Sequence, residues 1–322
     1  MRRTGSGVLL VLVHSMGVLL CCVWAQAQIS VNTKTETSVL IEPLKAPSRA
    51  SKAEINWTKG VLVVESKGAP KKGETDIGVM ELQAREAAIA TAYRDMAAAV
   101  SGVHVSSDVT VEDCRLASAV IRTQLDATVK GAALLTNREN WNEQKKIYTV
   151  ALAMRMHGDE GLLALLAEHR EDVIGPLEEK KTPPKPKIIR EPEPVVPSGK
   201  PYTGLIIDCR GLGVKPAMSP KIIRPDGSEV WGTVRVSSEE VSANGIVGYL
   251  TDIESAKKSP RSGDNPLVIR AIGKQGSFTA NAVVSGADAA LILEGNNKAN
   301  PKFLESFRVT FVYDSKWQQT MP

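Results

Sequence analysis

The sequence predicts an α+β protein in two folded parts: a small α+β domain with an antiparallel sheet and a long alanine-rich helix, then a second, mostly-β α+β domain. Three observations predict it. Apolar, β-branched runs flank a stretch of helical period between residues 55 and 177, and short apolar runs punctuated by glycine and proline recur from 201 to 315. Between them, residues 178–200 are rich in proline, lysine and glutamate. At 322 residues, 43% of them hydrophobic, the chain is long enough for two ordinary cores.

The first residues predict the compartment. Arg2 and Arg3 form a basic start, Val8 to Val23 are almost wholly apolar, and Ala25-Gln26-Ala27 supplies small residues where a signal peptidase needs them. Residues 1–27 therefore read as a cleaved secretory signal peptide, which places the mature protein in the periplasm or at the outer membrane. The apolar run is interrupted by His14, Ser15 and Gly17 and is shorter than the roughly 20 residues of a spanning helix. Lipidation at Cys21 is the alternative, but Leu20 stands where a lipid-attachment site wants a small residue. No later segment is apolar enough to span a bilayer, so membrane attachment is expected only through a partner.

Residues 28–54 are mainly Thr, Ser, Lys, Glu and Pro without a sustained period and read as a flexible leader, with order beginning at Ile55. Trp57 to Val64 reads as a strand that ends at the turn formers Gly68, Pro70 and Gly73. From Val79 to Val100, Leu82, Ile89, Tyr93, Met96 and Val100 recur at helical steps and form one face, while the many alanines nearby let the helix approach a sheet closely. After Gly102 the chain alternates through Val103, Val105, Val109 and Val111. A short helix is expected from Cys114 to Ala127, then strands at Val129–Thr136 and Lys145–Met156 joined by a polar turn, 137–144. The last strand should bury one face and expose the other. Asp159 is placed to cap a helix over Gly161–Ile174 that packs back on this domain or, alternatively, receives a partner.

Prolines 183, 184, 186, 192, 194, 197 and 201 predict that residues 178–200 join neither a sheet interior nor a helix and form an extended spacer, able to hold the domains about 70 Å apart if fully polyproline II. In the second domain, strands are expected at Gly204–Asp208, Lys221–Arg224, Glu229–Val236, Pro266–Gly273 and Phe307–Tyr313. Helices are expected at Ala287–Glu294, extending toward Asn296, and at Val247–Ala256, with a tail from 316. Asp226-Gly227 reads as the turn of a hairpin.

Composition and motifs argue against most chemistries. Removing Arg2 and Arg3 with the signal leaves 38 of 40 basic residues against 36 acidic, a net of +2, and aromatic residues are only 4% of the chain. That excludes the concentrated basic face and stacking platform of nucleic-acid binding. Gly211-Leu212-Gly213 follows a strand, but Pro216 stands where a dinucleotide loop needs its third glycine, so it reads as a turn. Asp208, Asp226, Asp252 and Asp264 are scattered, and no serine-nucleophile motif is present. Met154, Met156 and His157 could suit a soft metal, but the strand period turns the methionines into the core and leaves His157 exposed. With His104, His157 and His169 alone in the mature chain, no zinc spacing is formed. No catalytic residue, cofactor or metal is therefore expected. Cys114 and Cys209 fall in different domains and read as two thiols, with a single bridge as the alternative.

Four places resemble a known family: Trp57-x-x-Gly60; the helix carrying Ala84, Ala88, Ala92 and Asp95; Val100-Ser101-Gly102-Val103-x-Val105; and Val129-Lys130-Gly131, followed later by Tyr148-x-Val150. Together they resemble the Lpp-twenty lipoprotein family and the related N-terminal domain of flagellar outer-membrane-associated proteins of the FlgP and FlgT kind. The resemblance covers about a third of the chain and implies a structural module without catalytic residues. It also implies a non-enzymatic accessory of the flagellar basal structures, with envelope or flagellar proteins as partners and homo-oligomers as an option. Two other classes stand beside it: an envelope protein unrelated to motility that binds an outer-membrane protein or cell-wall polymer, and a secreted hydrolase using scattered carboxylates.

Overall fold

The computed structural model describes residues 51–195, 199–232 and 245–314, together with the backbone of 41–44. The expected signal peptide, the lipidation alternative at Cys21 and the tail from 316 lie outside the described residues. What is described is an α+β protein with a two-domain layout.

The N-terminal domain is an antiparallel sheet under a long helix. Its strands are β1 (Ile41–Leu44), β2 (Lys52–Asn56), β3 (Val61–Gly68), β4 (Ala133–Leu134), β5 (Asn140–Asn142) and β6 (Ile147–Arg155), ordered β1-β2-β3-β6-β4 with β5 also on β6. The register sets Ile55 opposite Leu62 and Leu62 opposite Met154, so period-2 alternation gathers Ile55, Leu62, Val64, Val150, Leu152 and Met154 on one face. Order thus begins well before Ile55, and Trp57 to Gly60 are not a strand opening but the turn of the β2–β3 hairpin. There Gly60 adopts φ 61 and Asn56 Oδ1 accepts from the Lys59 amide at 2.9 Å. The leader was unreadable because β1 pairs with β2 and β2 with β3 as short strands that carry no sustained alternation of their own.

Helix α1 (Ile77–Ser101), capped by Asp76, lies across that face. It docks through Ala84, Ala88, Ala92, Met96, Ala99 and Val100, whereas Leu82 is 63% exposed and Ile89 and Tyr93 pack only at the margin. The expected face was therefore rotated. A side chain at Gly68 would overlap the α1 backbone at Ala84 and Ala88, so the helix touches the strand and only small residues fit the contact. Within that contact Asp95 is fully buried and accepts hydrogen bonds from the hydroxyls of Ser51 and, at 2.7 Å, Ser66.

The expected helix over 114–127 is two, α2 (Val111–Ala117) and α3 (Ala119–Lys130), broken at Ser118. That residue has extended backbone and caps α3 through Ile121 N. Thr110 and Asp113 close a capping box on α2. The predicted strand at Val129–Thr136 shrinks to β4 because α3 continues through Lys130, and the polar turn contains β5. Strand β6 buries Ala151 and Ala153 as well as its larger side chains, so neither face is exposed. Beyond it, α4 (Leu162–Glu168) is capped by Gly161 rather than Asp159. It continues through a π-helical turn, Arg170–Ile174, into α5 (Gly175–Lys180), and Leu162, Leu166 and Ile174 pack back on the domain.

The proline-rich segment does join a sheet. Its Lys187–Ile188 form β7, an edge strand paired with the strand Gly273–Gln275, and the amides of Ile189 and Arg190 donate to Ile272 O. An edge position needs donors on one side only, so prolines on either side are tolerated. The segment is a strap along the second domain and not a spacer of about 70 Å.

The C-terminal domain has two sheets. One is β10-β9-β14-β13-β7, from β9 (Ile222–Ile223), β10 (Glu229–Trp231), β13 (Gly273–Gln275) and β14 (Asn281–Val283). The other is wholly parallel, β11-β15-β8-β12, from β8 (Gly204–Asp208), β11 (Gly248–Leu250), β12 (Pro266–Arg270) and β15 (Val309–Val312). Helices cover both of its faces: Ile206 and Val312 meet α6 (Ile253–Lys258), while Leu205, Ile207 and Phe311 join Ala289 and Ile292 of α7 (Gly286–Lys298). Burial on two sides is why β8 reads as an unbroken apolar run. The helix expected over Val247–Ala256 is split, since its first half is β11 and only Ile253 onward is helical. Asp226-Gly227 does turn the β9–β10 hairpin, with Gly227 at φ 88.

A buried polar seam joins the domains. The loop at Ser106–Val109 inserts against the β13–β14 turn: Ser107 Oγ donates to Gln275 O at 2.8 Å and accepts from Ala280 N at 3.1 Å, and Ser107 O accepts from Phe278 N. Asp108 Oδ1 accepts from the amide and hydroxyl of Ser277 at 2.8 and 2.7 Å. Met218 N and Ser219 N donate to His104 O and Val105 O, and the His104 ring stacks on Phe278 with centroids 4.4 Å apart. Hydrogen bonds between buried partners with no slack make the seam a fixed joint.

Candidate functional site

Between the domains lies a cleft of about 1200 Å³. The N-terminal domain contributes the β2–β3 turn, Trp57 to Gly60, and His157 just past β6. The C-terminal domain contributes Val247 to Leu250 of β11, Ser259 to Arg261, and Glu305 to Arg308 with Thr310 ahead of and within β15. Domain boundaries are where concave binding sites concentrate.

Tyr249 organises the floor. Its ring meets Trp57 edge-on at 5.4 Å and Tyr313 at 5.4 Å, its hydroxyl donates to Ala217 O, and its carbonyl accepts from Thr58 Oγ1 at 2.9 Å. Burial drives its hydroxyl pKa far upward, so it is a neutral donor. Arg261 lies half-buried beside it, donating through Nη2 to Gly245 O at 2.5 Å and through Nε to Val309 O at 3.3 Å. Burial pushes that guanidinium down to about 10, still cationic at neutral pH.

His157 is not exposed as expected. Its ring is half-buried in a slot whose walls are backbone: a side chain at Gly60 would come within 2.7 Å of it and one at Gly245 within 2.5 Å, and both glycines have positive φ. Burial, reinforced by Arg261, pushes its pKa down to about 4, so the imidazole is neutral at physiological pH. The strand period did direct Met154 and Met156 to the core; what it could not foresee was the second domain closing over the opposite side.

The cationic groups on the walls are Lys59, Arg261 and Arg308. Among the described residues of the lining the acid is Glu305, which takes a hydrogen bond from Asn296 Nδ2 at 2.9 Å. Phe307 is held at φ 52, a left-handed conformation costing a bulky residue about 1–3 kcal/mol. The walls thus combine aromatic floor, hydroxyls and net positive charge, an arrangement suited to holding a ligand by contact.

Of the ten residues picked out by resemblance, only Trp57 and Gly60 belong to the cleft. Ala84, Ala88, Ala92 and Asp95 make the helix–sheet contact, and Tyr148 and Val150 lie on the sheet face beneath it. Tyr148 hydroxyl also donates to Glu139 at 3.0 Å, a carboxylate held by Arg85 at 2.7 and 3.0 Å. Gly102 and Gly131 close α1 and α3, with ordinary helical φ of −82 and −80. The scattered aspartates are used locally: Asp208 grips Arg210, Asp226 takes the Ser228 amide, and Asp252 caps α6. Among the described residues no three His, Cys, Asp or Glu side chains gather as a metal-holding group, and no helix is long and apolar enough to cross a membrane. Cys114 and Cys209 are buried free thiols. Sequence reasoning missed Tyr249, Arg261 and Arg308, which lie on three separate segments without a shared spacing.

No curated protein matches the chain. A family model described as the second domain of Treponema pallidum Tp0624 matches residues 204–315, from the first residue of β8 to just past β15. The matched part includes the whole parallel sheet and the C-terminal wall of the cleft, and on that ground the C-terminal domain is similar to the second domain of Treponema pallidum Tp0624.

Proposed function

We propose that the protein is a non-enzymatic component of the cell envelope that acts by binding, as an assembly accessory of the flagellar basal structures. The observation that carries the binding role is the cleft itself: two domains fixed by a buried seam present a concave, aromatic and cationic surface. Its histidine is neutral and recessed between two glycines, poorly placed to exchange protons with a substrate. Placement in the envelope is supported by the basic, apolar and Ala-x-Ala pattern of residues 1–27. The flagellar assignment is supported by the Lpp-twenty resemblance of the N-terminal domain.

Deleting the gene and imaging the motor in intact cells tests it. The proposal expects impaired motility with density missing from the envelope-spanning part of the motor. Normal motility and an unchanged motor would remove the flagellar assignment.

A further inference from the structure

We propose that the strap docks on a membrane surface bearing anionic headgroups, as a peripheral contact and not a span. Its two ends are fixed. Lys181 Nζ pairs with Asp113 at 3.0 Å and donates to Asp108 O at 2.8 Å, while the Arg190 amide donates to Ile272 O and its guanidinium to Arg210 O at 2.6 Å. Between these anchors Lys185, Lys187, Ile188 and Ile189 are exposed, the two isoleucines 46% and 43%. The register explains why the first of them is uncovered: Ile188 stands opposite Gly273, which has no side chain to lie against it. Successive residues of an extended chain point to opposite faces, so exposure of both isoleucines means that the strap stands out as a rim open on two sides.

The charge of the rim has one prevailing sign. Residues 180–193 hold five cations and two acids, and one of the acids, Glu193, is paired with Arg270. Lys187 lies directly across from Lys274 of β13, and among the described residues neither ammonium pairs with an acid; Lys274 Nζ donates to Gly213 O at 3.3 Å. Like charges opposite one another destabilise a sheet, and an anion arriving there offsets that cost. Exposed isoleucines beside lysines fit the boundary between headgroups and acyl chains, where apolar side chains leave water while ammoniums stay among phosphates. A bilayer surface yields around a rim and covers both of its sides, whereas the flat face of a folded protein covers one. An added peptide strand is poorly served, because Pro183, Pro184 and Pro186 remove amides that it needs as donors.

This inference goes beyond the flagellar reading and is tested on purified protein, so it can fail while that reading stands. The full mature chain is mixed with vesicles that contain phosphatidylglycerol or only phosphatidylcholine, and the bound fraction is read by flotation. Binding to the anionic vesicles alone is expected, weakening with added salt. Lys185→Gln/Lys187→Gln should bind about thirtyfold more weakly, from roughly a fivefold loss for each lysine. Ile188→Ser/Ile189→Ser should also release the vesicles. Leu116→Ser/Val120→Ser removes a pair that is 64% and 55% exposed on α2 and α3, and it should bind as the parent does. All the substituted residues are exposed, and a thermal melt confirms that each variant is folded. Poly-glutamate, added as a soluble anion, should not replace the vesicles at equal charge. Absence of vesicle binding, equal binding to both lipids, unchanged binding in either strap variant, an equal loss in Leu116→Ser/Val120→Ser, or preference for poly-glutamate overturns the proposal.

Discussion

Replacing Gly276 with alanine tests the joint between the domains. Gly276 sits at φ 98 in the β13–β14 turn, and a Cβ there would overlap the Ser107 hydroxyl. Two costs follow. The left-handed backbone adds about 1–2 kcal/mol for a residue with a Cβ. Moving Ser107 aside breaks its bonds to Gln275 O and from Ala280 N, each contributing about 1 kcal/mol, and leaves buried polar atoms unpaired. The sum is about 3–5 kcal/mol. Gly73 supplies the control, because its φ is 95 but nothing lies within 4 Å of its Cβ position; alanine there should cost only the backbone part. Urea unfolding of the three proteins reads the difference. If Gly276→Ala costs no more than Gly73→Ala, the seam is not the tight contact described.

Acidification should loosen the other contact between the domains. His157 has a folded pKa of about 4 against an ordinary 6.5, so between those values the unfolded chain binds more protons. Stability from this group is therefore complete above pH 6.5 and falls as the pH drops toward 4, by up to about 3 kcal/mol, while His157→Gln should flatten that slope in pH-dependent unfolding. Burial pushes the Cys114 thiol up to about 12 and the Cys209 thiol well above its usual value, so a thiol-reactive dye should label neither in the native protein and both after denaturation. On α1, Leu82→Ala should change stability by under about 0.5 kcal/mol in thermal unfolding. Ala88→Leu should cost several times more, because it would force apart a helix and strand already in contact at Gly68.

Those two α1 substitutions also show what was legible. The helix itself was plain from its period, but hydrophobicity weights leucine over alanine, and the buried face was chosen by closeness of approach. Strand β8 and the Asp226-Gly227 hairpin were readable because their causes are local, an apolar run buried on both sides and a turn needing positive φ. Strand β7 was not, since its partner strand lies far along the chain, nor were β1 and β2, which are too short to carry a sustained alternation. Proline content correctly argued against a sheet interior, yet an edge satisfies the same constraint. The cleft was invisible for a related reason: its walls come from residues 57–60, 157, 247–250, 259–261 and 305–310, which no spacing rule connects.

Site-specific photocrosslinking in living cells tests the binding account most directly. A photoreactive amino acid placed at Ser306, an exposed residue on the cleft rim, should trap an envelope protein, with the flagellar basal structures as the expected source. The same group placed at exposed Lys298 on α7 serves as the comparison. Adducts to an envelope protein from Ser306 and not from Lys298 are the predicted result. Equal adducts from both positions, or a cytoplasmic protein as the trapped neighbour, would contradict the account.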